Sequence, residues 1–561
     1  MISALCVAAV IGLSVCAFQP GLHNEFLNWD DDRNFLLNTD YRGLSAANWQ
    51  WAWSTYHLGV WQPVGWLLLG LQYRIGAMAP ATYHTASLII HAANAALLYF
   101  LAASLLAAAM PAACNARPIG TRVCAAAAAM LFAAHPLRVE AIAWVSCQPY
   151  LPAAFFCLLG TWAYVHTQRP PSATRRRRIG LAITFVCYLL AVMSKAVAVS
   201  LPVLLLILDL YPLGRWQGRG QANRPFRGLA RLVIEKAPFF AVAVVVSVWA
   251  AAAKDYSDTR VPLGDFDASA RLAQAAYGLI FYLWKSIIPT GLLPYYRLPG
   301  DIGLAHASFG LCGLGVLALT VGVVVMRQRW PALLAAWGAY VVILIPNLGI
   351  VQISQQTVAD RYSYLAIMPV VILSAGAIFK AWQHADVGRK VLRGALAIGI
   401  GLAAAGLVSA SRRQVTVWHD SDRLWRTVID ADPKCAVAEC NLGAALLAKG
   451  EYAQASVHVS RAIDLKPDFA FAYANLGVIC CKARKFEDAI AFFEEALDHR
   501  PDLPRSDLAK VHAGLGEAYA GLRRDGLAWK HTRKAQQLGS KEAEKMIEYL
   551  RRFSREPKRD D

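Results

Sequence analysis

The chain has 561 residues, 57% of them hydrophobic and 17% charged, with a mean hydropathy of +0.37 and a net charge of +18. A soluble protein carries roughly a quarter charged residues, so an entirely soluble globular class is excluded. The basic excess lies mainly in short loops between apolar runs, which is the signal of membrane topology; this argues against nucleic acid as the partner and makes Arg175-Arg176-Arg177-Arg178 a cytoplasmic anchor.

Residues 2–19 form an apolar segment with no basic flank and no small-residue cleavage site after it, and read as an uncleaved first span with its N-terminus inside. Residues 21–83 are then the first extracytoplasmic loop. It holds Asp30-Asp31-Asp32 and the tryptophans Trp29, Trp49, Trp51, Trp53, Trp61 and Trp66. Indole rings favour the membrane interface, so the loop is expected to lie on the bilayer as short amphipathic helices.

Further apolar runs near 84–107, 121–137, 150–166, 179–194, 197–213, 237–254, 307–326, 331–350, 362–379 and 394–410 have the length of membrane helices. Residues 270–288 are apolar enough to cross but carry Arg271 and Lys285. Leaving them at the outer surface puts every basic loop inside. The expectation is an all-α polytopic bundle of about eleven spans over residues 1–410, N-terminus in and C-terminus out.

After residue 410 the periodicity changes. Pro433, Pro467 and Pro501 are spaced by 34, as are Asn441-Leu442-Gly443 and Asn475-Leu476-Gly477; Ala455 and Ala462 recur as Ala489 and Ala496. Small residues at helix crossings at this period mark tetratricopeptide (TPR) repeats, an α-solenoid. A third copy, at Leu515-Gly516, is offset by five residues. Residues 411–561 are thus an extracytoplasmic TPR domain, closed by a polar capping helix over 541–553. The twelve cysteines are scattered and show neither a disulfide framework nor zinc-site spacing.

Three groups of residues carry candidate chemistry. A carboxylate of Asp30-Asp31-Asp32 can act as general base toward a hydroxyl, and adjacent like charges raise one pKa to help it accept a proton; which of the three does so stays open at this point. Set against this, an Asp triplet in a loop is commonly a solvated turn or a helix cap. Arg138, Lys195 and Arg361 fall at outer span ends, where cations would stabilise a departing phosphate; the plainer reading is snorkelling or an ion pair with an acid such as Asp360. His135, Glu140 and His91 sit beside or within spans and line the site or simply glue the bundle; a lone His–Glu pair is weak evidence for a metal. Asn441 and Asn475 lie on the first helices of successive repeats, where amides can pair with a bound peptide backbone.

Several stretches, in this order, carry a resemblance. They are Asn28-Trp29-Asp30-Asp31, Trp61-Gln62-Pro63-Val64, His84 to Asn94, His135-Pro136-Leu137-Arg138-Val139-Glu140, Ser194-Lys195, Leu208-Asp209-Leu210-Tyr211-Pro212-Leu213 and Ala359-Asp360-Arg361-Tyr362-Ser363-Tyr364-Leu365. Together with the repeats they resemble the membrane glycosyltransferases of GT-C type with C-terminal TPRs, the transmembrane-and-TPR O-mannosyltransferases and their bacterial cousins. The resemblance implies a GT-C fold and an outer-face active site. It implies a polyprenyl-phosphate-sugar donor and a protein or glycan hydroxyl acceptor gathered by the TPRs. Asp30 is then the base with Asp31 assisting; Lys195, Arg361 and Arg138 face the donor phosphate; Trp61, Asp360 and Tyr362 join His135, Glu140 and His91 around the site. It places the protein in a bacterial inner membrane, in contact with lipid. No resident cofactor is implied, and a divalent metal stays an open alternative. After Trp144 the chain departs from the cousins: a charged Glu-Arg-Lys-Asp-like run is replaced by Ser146-Cys147-Gln148-Pro149-Tyr150. Two competing readings are a non-catalytic membrane-anchored TPR scaffold and a lipid-linked glycan transporter.

Overall fold

The computed structural model describes residues 1–169, 173–217, 225–256, 267–300, 302–350, 356–384, 390–499 and 503–553. The elements they form are helical, apart from an isolated antiparallel bridge between Arg297 and Gln356. The chain divides into two compact units. One comprises Met1–Phe26, Asp30–Ala253 and Val261–His419; the other comprises Leu27–Trp29, Lys254–Arg260 and Asp420–Asp561.

In the first unit each of the eleven apolar stretches lies on a helix. Among the described residues six helices are long and apolar enough to cross a membrane, and eight if each of two bent pairs is one span. Proline sets the bends and starts. Pro118–Ala133 stops where His135-Pro136 removes an amide donor, and the chain resumes at Pro136–Ala143 with a 61° turn. Asp360–Ala366 turns by 54° into Met368–Gln383, just before Pro369. Such breaks put polar side chains where an unbroken span would put apolar ones.

The helix Ala268–Ile287 buries Arg271 and Gln274 and fails the apolar test, although it is 20 residues long. Leu208 to Leu213 is explained by charge. Asp209 is fully buried and pairs with Lys236, also fully buried, and with Arg215 at 2.9 Å; Arg215 also holds Glu235 at 2.8 Å. Two acids and two bases close a neutral network under Tyr164.

The first loop is more tightly folded than a surface layer. Ala46–Ser54 is a nine-residue helix started by a capping box at Ser45, and Pro63–Gly76 follows. Trp66 is buried in a cluster with Phe35, Tyr41, Leu69 and Tyr83, whereas Trp49 and Trp53 stay exposed. The expectation that these rings all favour the membrane interface therefore fails for Trp66, whose area is better removed by packing.

In the second unit the repeats are helix pairs: Ala436–Ala448 with Tyr452–Leu465, Ala470–Lys482 with Phe486–Asp498, and Arg505–Gly521 with Asp525–Gln537. Lys541–Phe553 follows. The five extra residues of the third copy go mostly into its first helix, which has 17 residues where the two before it have 13. Pro501 lies outside the described residues. Gly443, Gly477 and Gly516 mark the crossings: an added Cβ would come within 2.4 Å of Val459, 2.6 Å of Phe493 and 2.5 Å of Thr532. Leu27–Trp29 packs with this unit. The Asn28 amide N–H donates to Ser421 Oγ at 2.9 Å, its Nδ2 to the Asn441 carbonyl at 2.8 Å, and Trp425 Nε1 donates to Asn28 Oδ1 at 2.7 Å. Trp29 tilts against Trp425 at 5.4 Å.

Candidate active site

The charged candidates of the first unit gather at helix ends and breaks. Asp30 opens the turn after the first span and has φ +66°, the left-handed region that few residues other than glycine adopt. Its carbonyl accepts the Asn34 N–H at 2.8 Å. Asp30 keeps some exposure, yet burial is the largest influence on its carboxyl and pushes its pKa up. The charges of Arg33, Arg361 and Lys195 act in the opposite sense, and Asp32 adds to the rise.

Asp31 is placed differently. It is fully buried and accepts both the backbone N–H of Ser146, at 2.9 Å, and the Ser146 hydroxyl. Asn34 Nδ2 donates to the same hydroxyl at 2.9 Å.

Lys195 follows the helix Thr174–Ser194, where the backbone turns extended. Its ammonium donates to Gln62 Oε1 at 3.1 Å and lies 5.3 Å from the Tyr150 ring centre. Arg361 sits at the break before Ser363. Its backbone N–H donates to Glu140 Oε2 at 2.6 Å and its guanidinium to Glu140 Oε1. Trp144 and Tyr362 flank that guanidinium at 5.3 and 4.8 Å. Glu140, 1% exposed, thus fixes Arg361 from behind and leaves its flank to the aromatic rings.

Other candidates lie behind this group or away from it; Asp360 is next to it, its backbone N–H donating to Glu140. Arg138 is buried, donates to Ser363 Oγ at 2.7 Å and lies against the Phe132 and Tyr364 rings. Asp360 accepts from the Tyr296 hydroxyl at 2.9 Å. His135 accepts the Leu137 N–H on Nδ1 and donates from Nε2 to the Ser286 carbonyl at 3.1 Å. His91 is fully buried. Its Nε2 donates to the Ala133 carbonyl at 3.0 Å and its Nδ1 accepts from the Tyr364 hydroxyl at 2.8 Å, which also receives Asn94 Nδ2. These contacts saturate both rings and tie spans together. Trp61 packs in an indole cluster, 4.9 Å from Trp249, and donates to the Trp53 carbonyl. In the repeats, Asn441 Nδ2 turns back to the Val437 carbonyl of its own helix at 3.0 Å, and Asn475 Nδ2 reaches Cys440 Sγ at 3.3 Å.

Sequence reasoning passed over Gln62, Tyr150 and Ser146 as members of this group; the motif Trp61-Gln62-Pro63-Val64 was the one available pointer to Gln62. Among the described residues no group of three or more His, Cys, Asp or Glu side chains could hold a metal ion.

A tetratricopeptide repeat family model matches residues 470–503. The chain is 28% identical over 235 residues to a Drosophila melanogaster protein named Protein O-mannosyl-transferase Tmtc1, covering 40% of this chain and 25% of that protein. It is 28% identical over 184 residues to the Drosophila melanogaster Protein O-mannosyl-transferase Tmtc2, covering 31% of this chain and 18% of the relative. The chain therefore spans a quarter or less of the length of these curated relatives. An all-helical chain with several membrane-length apolar helices and a C-terminal TPR is thus similar, in part of its length, to proteins named as O-mannosyltransferases.

Proposed function

We propose that the chain is an inverting membrane glycosyltransferase, moving a sugar, with mannose first to be tried, from a polyprenyl phosphate to a hydroxyl of a protein or glycan. One observation carries this reading: the part-exposed carboxylate of Asp30 lies within electrostatic reach of Arg361 and Lys195, which stand on separate helix breaks. Asp30 takes the proton of the acceptor hydroxyl. The oxygen attacks the anomeric carbon, the C–O bond to phosphate breaks, and the electron pair leaves with the polyprenyl phosphate. Lys195 and Arg361 stabilise that charge as it grows; held by Gln62 and Glu140, they need no reorganisation to do so. The names of the relatives favour mannose and a protein acceptor.

The site and the repeat unit are taken to face outside the cytoplasm. The Arg412 guanidinium donates to the Cys16 carbonyl at 3.0 Å, and the Glu25 N–H to the His419 carbonyl at 2.8 Å. The first and last membrane helices of the unit therefore end side by side. The TPR unit then recruits the acceptor. The deciding experiment is transfer from polyprenyl-phosphate mannose in lipid vesicles by the wild type and by Asp30→Asn. The variant is expected to lose at least 100-fold, the lower range for a general base, with insertion and melting unchanged; wild-type turnover in the variant overturns the role of Asp30. The scaffold reading, supported by the TPR match, expects that substitution to be silent and partner binding to persist.

A further inference from the structure

Resting on the reading of Asp30 as the base, we infer that Asp31 is not a second base but an anchor, and that Ser146 is the positioning residue that holds the Asp30 turn in place. Four observations converge on this. The Asp31 carboxylate is fully buried, whereas Asp30 beside it is not. Asp31 accepts two hydrogen bonds from one residue, the N–H and the hydroxyl of Ser146. The same hydroxyl receives Asn34 Nδ2, and the Asn34 N–H closes the turn on the Asp30 carbonyl at 2.8 Å. Asp30 itself holds φ +66°, a left-handed conformation that aspartate adopts more readily than most residues but only at single, locally bonded positions.

The latch thus grips the turn on both sides of Asp30: Asp31 follows it in sequence, and Asn34 is bonded to its carbonyl. The carboxylate that is tied down holds Ser146 in the short helix Val145–Cys147, and its neighbour Asp30 stays part-exposed. Ser146 donates two bonds to Asp31 Oδ1 inside the protein, which ties Asp31 to the neighbouring segment and leaves proton transfer to the part-exposed Asp30. Ser146 stands between Asp31 and Asn34. A neutral serine there is consistent with a hydroxyl able to donate to Asp31 and accept from Asn34 at once, which neither a lysine nor an arginine side chain can do.

The test uses the full chain in lipid vesicles, with Ser146→Ala, Ser146→Thr, Asp31→Asn and Asp30→Asn. Ser146→Ala is expected to lower kcat tenfold to a hundredfold with KM for donor and acceptor within twofold, and Ser146→Thr to restore it. Asp31→Asn keeps an acceptor oxygen and a near-identical shape, and is expected to retain well above the activity of Asp30→Asn. Hydrogen exchange at the Asn34 amide is expected to quicken at least tenfold in Ser146→Ala, whether or not sugar is turned over. Asp31→Asn as inactive as Asp30→Asn, in a folded protein, makes Asp31 part of the chemistry and ends the proposal. Unchanged exchange at Asn34 ends it too. A wild type that transfers no sugar, with exchange quickened in Ser146→Ala, leaves the latch standing and removes the transferase reading instead.

Discussion

Asp30 meets two opposing demands: burial raises its pKa, and a base must be ionised to work. Arg33, Arg361 and Lys195 hold the rise in check. The sign of the pH dependence follows. Transfer is expected to fall as pH drops through the Asp30 pKa, with the acid limb above the ordinary carboxylate value of 3.8. Because Lys195 lowers that pKa, Lys195→Met is expected to move the limb to higher pH as well as to slow transfer. A pH profile of kcat in the two proteins checks both, and a limb that stays put separates Lys195 from Asp30. At this scale the sequence was partly legible. Ionisable residues stand out against an apolar background, so Asp30, Lys195 and Arg361 could be singled out. Gln62 and Ser146 could not. Neutral polar residues at helix ends are common, and the partners of these two are 133 and 115 positions away, a separation that no local pattern encodes.

The repeat helices show what periodicity reads well and what it misses. The glycines at the crossings were visible because a missing side chain recurs with the period, and each faces a neighbour that a Cβ would strike. The turns inside the pairs were not visible. Gly450 ends the first helix of its pair with φ +82°, and the equivalent positions are Arg484 at +58° and Arg523 at +57°. A left-handed residue at a helix C-terminus is ordinarily glycine, since a Cβ there costs about 1–2 kcal/mol. Two of the three repeats therefore carry backbone strain in an exposed arginine. Arg484→Gly is expected to stabilise the repeat unit by about 0.5–1 kcal/mol, once the greater freedom of glycine in the unfolded chain is subtracted. Gly450→Ala is expected to cost about 1 kcal/mol. Urea midpoints of the repeat unit, followed by hydrogen exchange in the full chain, measure both changes. A loss of stability in Arg484→Gly shows that the arginine side chain makes a contact worth more than the strain.

For the whole molecule the question is on which side the chain ends, and parity answers it better than hydropathy. The described helices that pass a length and apolarity test number six, or eight with the bent pairs counted. Both numbers are even, and both would return the chain to the side where it began. The hydrogen bonds from Arg412 to Cys16 and from Glu25 to His419 point the other way. Ile2–Phe18 and Lys390–Val417 finish together, so if both cross the membrane an even number of crossings separates their ends and an odd total is expected. On this reading the shorter apolar helices Ala196–Leu210 and Pro331–Asn347, together with Tyr150–Gln168, are expected to supply three further crossings, which raises eight to eleven. Burial against neighbouring helices removes the need for a long, uniformly apolar surface, which explains why the threshold undercounts. The eleven apolar stretches read from the sequence satisfy the parity; the bends at 61° and 54°, near which Arg361 and Glu140 lie, left no trace there beyond a proline. The expected consequence is that Asp30 and Asp420 emerge on one face and the run Arg175–Arg178 on the other. In sealed vesicles of known orientation, a protease outside is expected to release a C-terminal tag. A protease site placed before Thr174 is expected to be cut only from the opposite side. Cleavage of both from one face breaks the parity argument, and with it the proposal that Asp30 and the repeats share a side of the membrane.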